Sequence, residues 1–241
     1  MTAQYNPKIF SHFFLIGLFL MVALGVSTPA RADSWVVQAS CTAGQKATIE
    51  AAQRTAFAWV AQVINSYPSV NNQKNPAYNT FVTWMGDPQG DVPTLIKAGF
   101  NGVQGYLGNG KVQADCQAGA APVPAPANTC YTNPGWIAYT EVAVGPVPLV
   151  VHFCGPFFAF PAPPAGGPAN DQVRVIVHEL AHRASRLIDD QTMPVGAPGA
   201  GGGAYGVLAV QWLAANNPAN AMKNADNYSY LALNMSTVRL P

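Results

Sequence analysis

The stretch His178-Glu179-Leu180-Ala181-His182 places two imidazoles and one carboxylate on a single turn of a predicted helix. Residues four apart lie on the same face of an α-helix, so both histidines can bind one ion. The glutamate between them lies one step round the helix, close to a water on that ion. The pattern indicates a zinc hydrolase in which Glu179 is the general base for a zinc-activated water that attacks a carbonyl carbon.

The helix that carries this motif is predicted to be buried on nearly all sides. Asn170 or Asp171 can cap it, and the pattern extends it from about Gln172 to Leu187. Its apolar positions on the N-terminal side of the second histidine are Val173, Val175, Ile176, Val177 and Leu180.

Further elements are predicted from apolar spacing and from turn residues. Helical periodicity predicts a helix over residues 44–66 and a weaker helix over 92–107 that is interrupted by glycines. One or two short strands are expected within 135–153, a glycine-rich loop over 191–204, and helices over 206–216 and 218–234. The sequence therefore predicts an α+β fold, mostly helical with a small β-sheet.

The N-terminus has the pattern of an export signal. An apolar stretch from Phe13 to Val26 is followed by Ala30-Arg31-Ala32, which has the form of a cleavage site. We expect residues 1–32 to be a signal peptide and 33–241 to be one zinc metalloendopeptidase domain, with no membrane attachment after cleavage. The expected location is secreted, either extracellular or periplasmic. The formal net charge of the whole chain is only +1, which gives no indication of nucleic-acid binding.

The chain has 4 cysteines, an even number that suits disulfides in an exported protein. None of them has the C-x-x-C spacing of a thiolate metal site. Three pairings are formally open, and we favour Cys41–Cys116 with Cys130–Cys154. The first would tie the opening helix to the region after Gly110, and the second would brace the segment that leads to the metal helix.

The third metal ligand is restricted by the residues on the C-terminal side of the motif. A catalytic zinc ion has three protein ligands and water, so the two histidines need one more donor. No histidine follows His182, and no glutamate follows Glu179, which excludes the metzincin and thermolysin arrangements. The acidic residues downstream are Asp189, Asp190 and Asp226, so an aspartate is expected to complete a site for one Zn²⁺ per chain.

With this ligand pattern the chain resembles the aspzincins, the family of deuterolysins and peptidyl-Lys metalloendopeptidases. The likeness covers roughly residues 41–232 and rests on the H-E-x-x-H motif, on Tyr205-Gly206, and on Asn224-Ala225-Asp226. Trp84-Met85-Gly86 and the stretch from Cys154 to Phe158 resemble upstream segments of the family. The resemblance implies a zincin-like metalloprotease fold.

The resemblance also implies roles for individual residues. Counted from His182, Asp190 falls close to the position of the family's aspartate ligand, with Asp189 as the reserve candidate. The Gly-Thr of the family is absent here, and extra residues separate the aspartates from Tyr205. That tyrosine is expected to stabilise the oxyanion, with a buried structural tyrosine as the alternative. Asp226 is expected to line the pocket for the residue after the scissile bond.

These observations predict a secreted zinc endopeptidase that acts on polypeptides, as a monomer. Lysine selectivity is weakened because Ser229 stands where lysine-specific members have a second acid. Two alternatives stay open from the sequence. One is a catalytically silent binding or surface protein on the same fold, and the other is a zinc hydrolase that acts on peptidoglycan peptides or another amide.

Overall fold

Helices build most of the structure. The computed structural model describes residues 35–67, 70–88, 90, 92–108, 110–119, 126–141, 148–161, 167–185 and 187–238. The expected signal peptide, residues 1–32, lies outside these described residues. The helices within them are α1 (Ala43–Ser66), α2 (Pro76–Met85), α3 (Val92–Gly108), α4 (Gly155–Phe158), α5 (Asn170–Ala184), α6 (Gly206–Asn216), α7 (Pro218–Ala221) and α8 (Ala225–Met235).

The sheet is small and lies beside the helices. Its strands are β1 (Val36–Val37), β2 (Gln113–Gln117), β3 (Ala138–Thr140) and β4 (Val150–Cys154), in the order β1-β2-β4-β3. The β1–β2 and β2–β4 pairs are parallel, and β3 is an antiparallel strand at one edge. Because side chains alternate between the faces of a strand, one face presents Ala114, Val151 and Phe153 to the hydrophobic core.

Local signals explain where the long helices begin. Thr42 caps α1 through a reciprocal arrangement in which its hydroxyl accepts from the Gln45 amide and the Gln45 side chain accepts from the Thr42 amide. Asn75 caps α2 with its side-chain oxygen, and proline occupies the first helical position. Both caps satisfy amide groups that would otherwise lack an intrahelical acceptor.

Helix α5 lies at the centre of the helical layer and contacts α1, α3 and α8. Its residues Val173, Ile176, Val177 and Leu180 are fully buried in the core cluster. Close packing against α3 requires a glycine, since a Cβ at Gly102 would lie 2.8 Å from the Ala184 Cβ. The core therefore holds the metal helix on several sides.

Two disulfides fix the sheet to its surroundings. Cys41 bonds Cys116 across a sequence separation of 75, and Cys130 bonds Cys154 across a separation of 24. This is the pairing favoured from the sequence. The first bond joins the segment before α1 to β2, and the second joins the loop before β3 to the end of β4.

The predicted fold class is confirmed, with corrections at several element boundaries. Helix α3 is continuous through its glycines, and α5 ends at Ala184 rather than Leu187. The helix expected over 218–234 is two helices, because the chain turns at Met222–Asn224. Helix α2 and the strands β1 and β2 were not predicted. Across the part of the chain that the structure describes, no helix combines the length and the hydropathy that a membrane span requires.

Candidate metal centre

Helix α5 presents both motif histidines to one point. The Nε2 atoms of His178 and His182 are 3.1 Å apart, and the rings meet edge to face with centroids 4.8 Å apart. Helical spacing accounts for this, because residues four apart are neighbours on one helix face. The surroundings differentiate the two rings: burial lowers the pKa of both, but Asp226, Glu179 and Asp190 reverse the effect at His178 and raise its pKa. The pKa of His182 is lowered.

The chain turns back after α5 and brings an aspartate to the same point. Ser185 is extended, with φ −150° and ψ 136°, and ends the helix. Asp190 Oδ1 then lies 3.4 Å from His178 Nε2 and 3.5 Å from His182 Nε2. That oxygen is buried and has no hydrogen-bond partner within the described residues. A buried carboxylate oxygen in this state is suited to binding a cation.

The three donor atoms fit a zinc ion. Bonds of about 2.0–2.1 Å at tetrahedral angles would place ligand atoms roughly 3.3 Å apart. The observed separations among the two Nε2 atoms and the Asp190 oxygen are 3.1, 3.4 and 3.5 Å. Two nitrogens and one carboxylate oxygen are also a donor set that zinc accepts in catalytic sites, where one position stays open. The sequence-predicted ligands are thus brought together in space.

The outward nitrogens of the two histidines face different aspartates. His178 Nδ1 lies 3.3 Å from Asp226 Oδ1, whereas His182 Nδ1 lies 3.9 Å from Asp189 Oδ1. The Asp226 side chain is 7% exposed and that of Asp189 is 84% exposed. A carboxylate behind a metal-binding histidine orients the ring and increases its basicity, so Asp226 is placed to support His178. Asp189 lies outside the group of three donor atoms.

Glu179 is buried in the wall of the same cleft. Burial raises the pKa of its carboxyl to about 7, with Asp190 adding to the rise and with His178 and hydrogen bonding to Thr140 opposing it. Thr140 belongs to the edge strand β3, so the sheet contacts the motif from one side. A carboxylate with a pKa near neutrality is matched to proton transfer at physiological pH.

Tyr205 lies at the rim of the cleft. Its hydroxyl donates to Asp190 Oδ2 over 2.6 Å, and its ring centroid is 5.9 Å from that of His178. Partial burial and the Asp190 carboxylate raise the pKa of the phenol, so the hydroxyl keeps its proton. The residue is 55% exposed, which contradicts the alternative that it is a buried structural tyrosine.

These residues line an open cleft with a volume of about 1480 Å³. Its walls are formed by the face of α5 that carries the motif, by the edge strand β3, and by the segments around Asp190, Tyr205 and Asp226. The predicted metal, base and pocket residues all contribute to it.

Arg174 is a residue of this site that was not predicted from the sequence. Its side chain lies in the cleft wall, where it donates to Asp171 and Asp226, and its guanidinium carbon is 3.6 Å from the centre of the Tyr230 ring. The spacing contained a signal, because Arg174 precedes His178 by four residues and shares its helix face. The partner Asp226 lies far along the chain, so the sequence did not show what the arginine contacts.

Comparisons with known proteins find a matching family and a structure with a similar fold. The model of the aspzincin family, described as lysine-specific metallo-endopeptidase, matches residues 70–233. A zinc peptidase from Grifola frondosa has a similar fold, with a TM-score of 0.57 and 22% sequence identity over 80% of this chain and 97% of that chain. No curated protein is significantly similar in sequence.

Proposed function

We infer that this chain, which belongs to the aspzincin family of metallo-endopeptidases, is a secreted zinc endopeptidase with Glu179 as its general base. In this proposal His178, His182 and Asp190 hold one zinc ion. Residues 1–32 are a signal peptide, and residues 33–241 form the monomeric catalytic domain. The proposed substrates are polypeptides, consistent with the family.

The observation that carries the proposal is the cluster of three donor atoms beside a buried glutamate. The Nε2 atoms and the Asp190 oxygen lie within 4.8 Å of one another, and Glu179 immediately follows one of the histidines. When bound there, zinc would supply Lewis acidity for the carbonyl oxygen and for a water. The distances among the donors support zinc because they match the separations of tetrahedral ligands.

The other residues have distinct tasks in this proposal. Glu179 takes a proton from the attacking water and returns it to the leaving amine, which balances the hydrolysis of the peptide bond. Tyr205 holds its proton and can donate a hydrogen bond to the oxygen that gains negative charge. Asp226 supports the ring of His178 and belongs to the wall that receives the substrate.

Two substitutions separate metal binding from proton transfer. Glu179→Gln is nearly isosteric and lies outside the donor set, so we expect zinc to be retained at one per chain while cleavage of unfolded casein falls by at least about 10³-fold. His178→Ala should lose both zinc and activity, because it removes a donor. Metal analysis measures the zinc content and a casein assay measures the activity, both on the same purified samples.

The controls decide between this proposal and a protein that only binds partners. Wild-type protein must lose casein cleavage on chelation and regain it with added zinc. A Glu179→Gln variant with wild-type activity would contradict the role of the base. A wild-type protein that binds zinc and cleaves nothing would favour the silent alternative.

A further inference from the structure

The charges of the cleft differ from those of a simple acidic pocket. Glu179 and Asp190 belong to the proposed zinc site, and the Asp189 side chain is 84% exposed at the rim. The remaining cleft acids, Asp171 and Asp226, both contact Arg174. Apart from Asp189, the described acidic residues that line the cleft outside the zinc site are therefore already paired with a cation of the protein itself.

Arg174 is held firmly in this position. Its Nη1 donates to Asp171 Oδ1 over 2.8 Å and its Nη2 to Asp226 Oδ1 over 3.1 Å. The guanidinium lies 3.6 Å from the centre of the Tyr230 ring, which stacks on Trp84 with a centroid distance of 4.9 Å. Two ion pairs and a stacked aromatic face immobilise the side chain, which is 15% exposed.

Asp226 has little capacity left for a substrate cation. Besides Arg174, its Oδ1 accepts from the Ser229 hydroxyl over 3.1 Å, and its Oδ2 accepts from the Gly206 amide over 2.8 Å. A substrate ammonium that reached this carboxylate would have to displace Arg174 or lie beside its positive charge. Either outcome is unfavourable, because like charges repel strongly where little water screens them.

We propose that Arg174 is a specificity-determining residue. Its guanidinium pairs with Asp226 in the place that a basic substrate side chain would take, and thereby excludes lysine at the position immediately after the scissile bond. The side chain favoured instead is uncharged and apolar, since the exposed rings of Trp136 and Tyr205 line the cleft. This inference rests on the proposed function. It departs from the description of the matched family as lysine-specific.

The test compares cleavage products of the zinc-loaded wild type with those of Arg174→Met and Arg174→Lys. Each enzyme digests an unfolded protein mixture, and mass spectrometry identifies the residues on both sides of every cleaved bond. Wild type and Arg174→Lys both keep a cation at this position, so both should disfavour substrates with lysine immediately after the scissile bond. Arg174→Met keeps an apolar stem against Tyr230 and should increase lysine selectivity by about tenfold or more relative to leucine.

Arg183→Met is the matched control, because Arg183 lies on the same helix, lines the same cleft, and forms no ion pair with Asp226 among the described residues. It removes the same charge but leaves the Arg174–Asp226 pair, so lysine selectivity should change by less than about threefold. Strong lysine preference in the wild type would overturn the proposal, as would an equal gain in the two methionine variants. If Arg174→Met does not fold, Arg174→Gln is used in its place with the same expectation.

A binding measurement separates this proposal from the proposed function. Calorimetry with n-butylammonium on the zinc-loaded proteins needs no catalysis, and Arg174→Met should bind this probe at least about tenfold more tightly than the wild type. If the wild type cleaves no substrate but Arg174→Met binds n-butylammonium more tightly than the wild type does, the role of Arg174 in the cleft is supported and the protease proposal fails. Equal binding by both proteins overturns the role of Arg174.

Discussion

Asp189 and Asn224 form a parallel β-bridge that ties the chain after the metal helix to the start of α8. The Asp189 amide donates to the Lys223 carbonyl over 2.7 Å, and the Asp189 carbonyl accepts from the Ala225 amide over 3.2 Å. The Asn224 side chain adds a bond from its oxygen to the Gln191 amide, 3.0 Å long. Asp190 lies between these anchored residues, so the bridge sets the direction of its carboxylate.

Asn224→Ala should therefore weaken zinc binding without removing a proposed ligand. Asn224 is buried, and its amide nitrogen donates to the Ala204 carbonyl over 3.0 Å and to the Asn227 side chain over 2.7 Å. Losing these bonds should cost about 2–4 kcal/mol of stability and about tenfold or more in zinc affinity. Zinc titration and thermal unfolding measure the two effects. Asn216→Ala, at an exposed helix end, should leave both unchanged, and equal zinc affinities for the two variants would refute the positioning role.

Tyr205→Phe tests the phenol at the rim of the cleft. The hydroxyl is the only group removed, and its observed partner is the Asp190 carboxylate. If it stabilises developing negative charge, kcat should fall by about 10²-fold while KM changes little. Steady-state kinetics on a peptide substrate measure this, and zinc content is checked in the same samples. A change confined to KM, or a loss of zinc that accounts for the activity, would show a binding or positioning role instead.

Two glycines of α3 should respond in opposite directions to alanine. A Cβ at Gly102 would lie 2.8 Å from the Ala184 Cβ at the end of the metal helix, whereas a Cβ at Gly105 would meet nothing within 4 Å. Gly105→Ala should stabilise the protein by about 0.5–1 kcal/mol through helix propensity. Gly102→Ala should destabilise it by about 1–3 kcal/mol because α3 and α5 must separate. Denaturant unfolding of both variants checks the signs, and a stabilised Gly102→Ala would contradict the close packing of these two helices.

Asp115 should contribute to acid sensitivity from the outer face of the sheet. Burial alone would raise the pKa of its carboxyl, but hydrogen bonds from Ser40, His152 and Gln117 outweigh this and lower the pKa. The stabilisation is complete above the unfolded pKa of about 3.9 and is lost as pH falls through the lower folded value. Asp115→Asn should flatten this part of the stability curve between about pH 5 and 2, measured in chelator so that zinc release does not contribute. An unchanged acid limb would contradict the assignment.

Local signals made the helix α1 and the pair of motif histidines predictable. The spacing of the two histidines, the Thr42 cap and the apolar periodicity of α1 each depend on residues within a few turns, and all of them correspond to observed structure. Helix α5 ends earlier than its pattern indicated because Ser185 adopts an extended conformation. Because the helix ends there, the chain can turn back and bring Asp190 to the two histidines. The early end of α5 is therefore required by the site and not by the helix itself.

Contacts between distant segments were the ones that sequence reasoning missed. The Arg174–Asp226 ion pair joins positions 52 residues apart, and the Asp189–Asn224 bridge joins loops that packing alone brings together. Strand β2 was not predicted, although its polar residues at 113, 115 and 117 alternate with apolar ones over five positions, which is the pattern of a short strand. The polar side chains that pair with its outer face come from distant segments, and those partners depend on tertiary structure.

Zinc titration of Asp190→Ala beside Asp189→Ala tests the metal site most directly. The two residues are adjacent, yet Asp190 Oδ1 lies 3.4 and 3.5 Å from the histidine Nε2 atoms, while Asp189 lies behind His182 with its side chain 84% exposed. Asp190→Ala should weaken zinc binding by about 10²-fold or more, because two imidazoles alone bind zinc weakly, and Asp189→Ala should change it by less than about threefold. Loss of zinc by Asp189→Ala with retention by Asp190→Ala would contradict the proposed set of ligands, and so would retention by both variants.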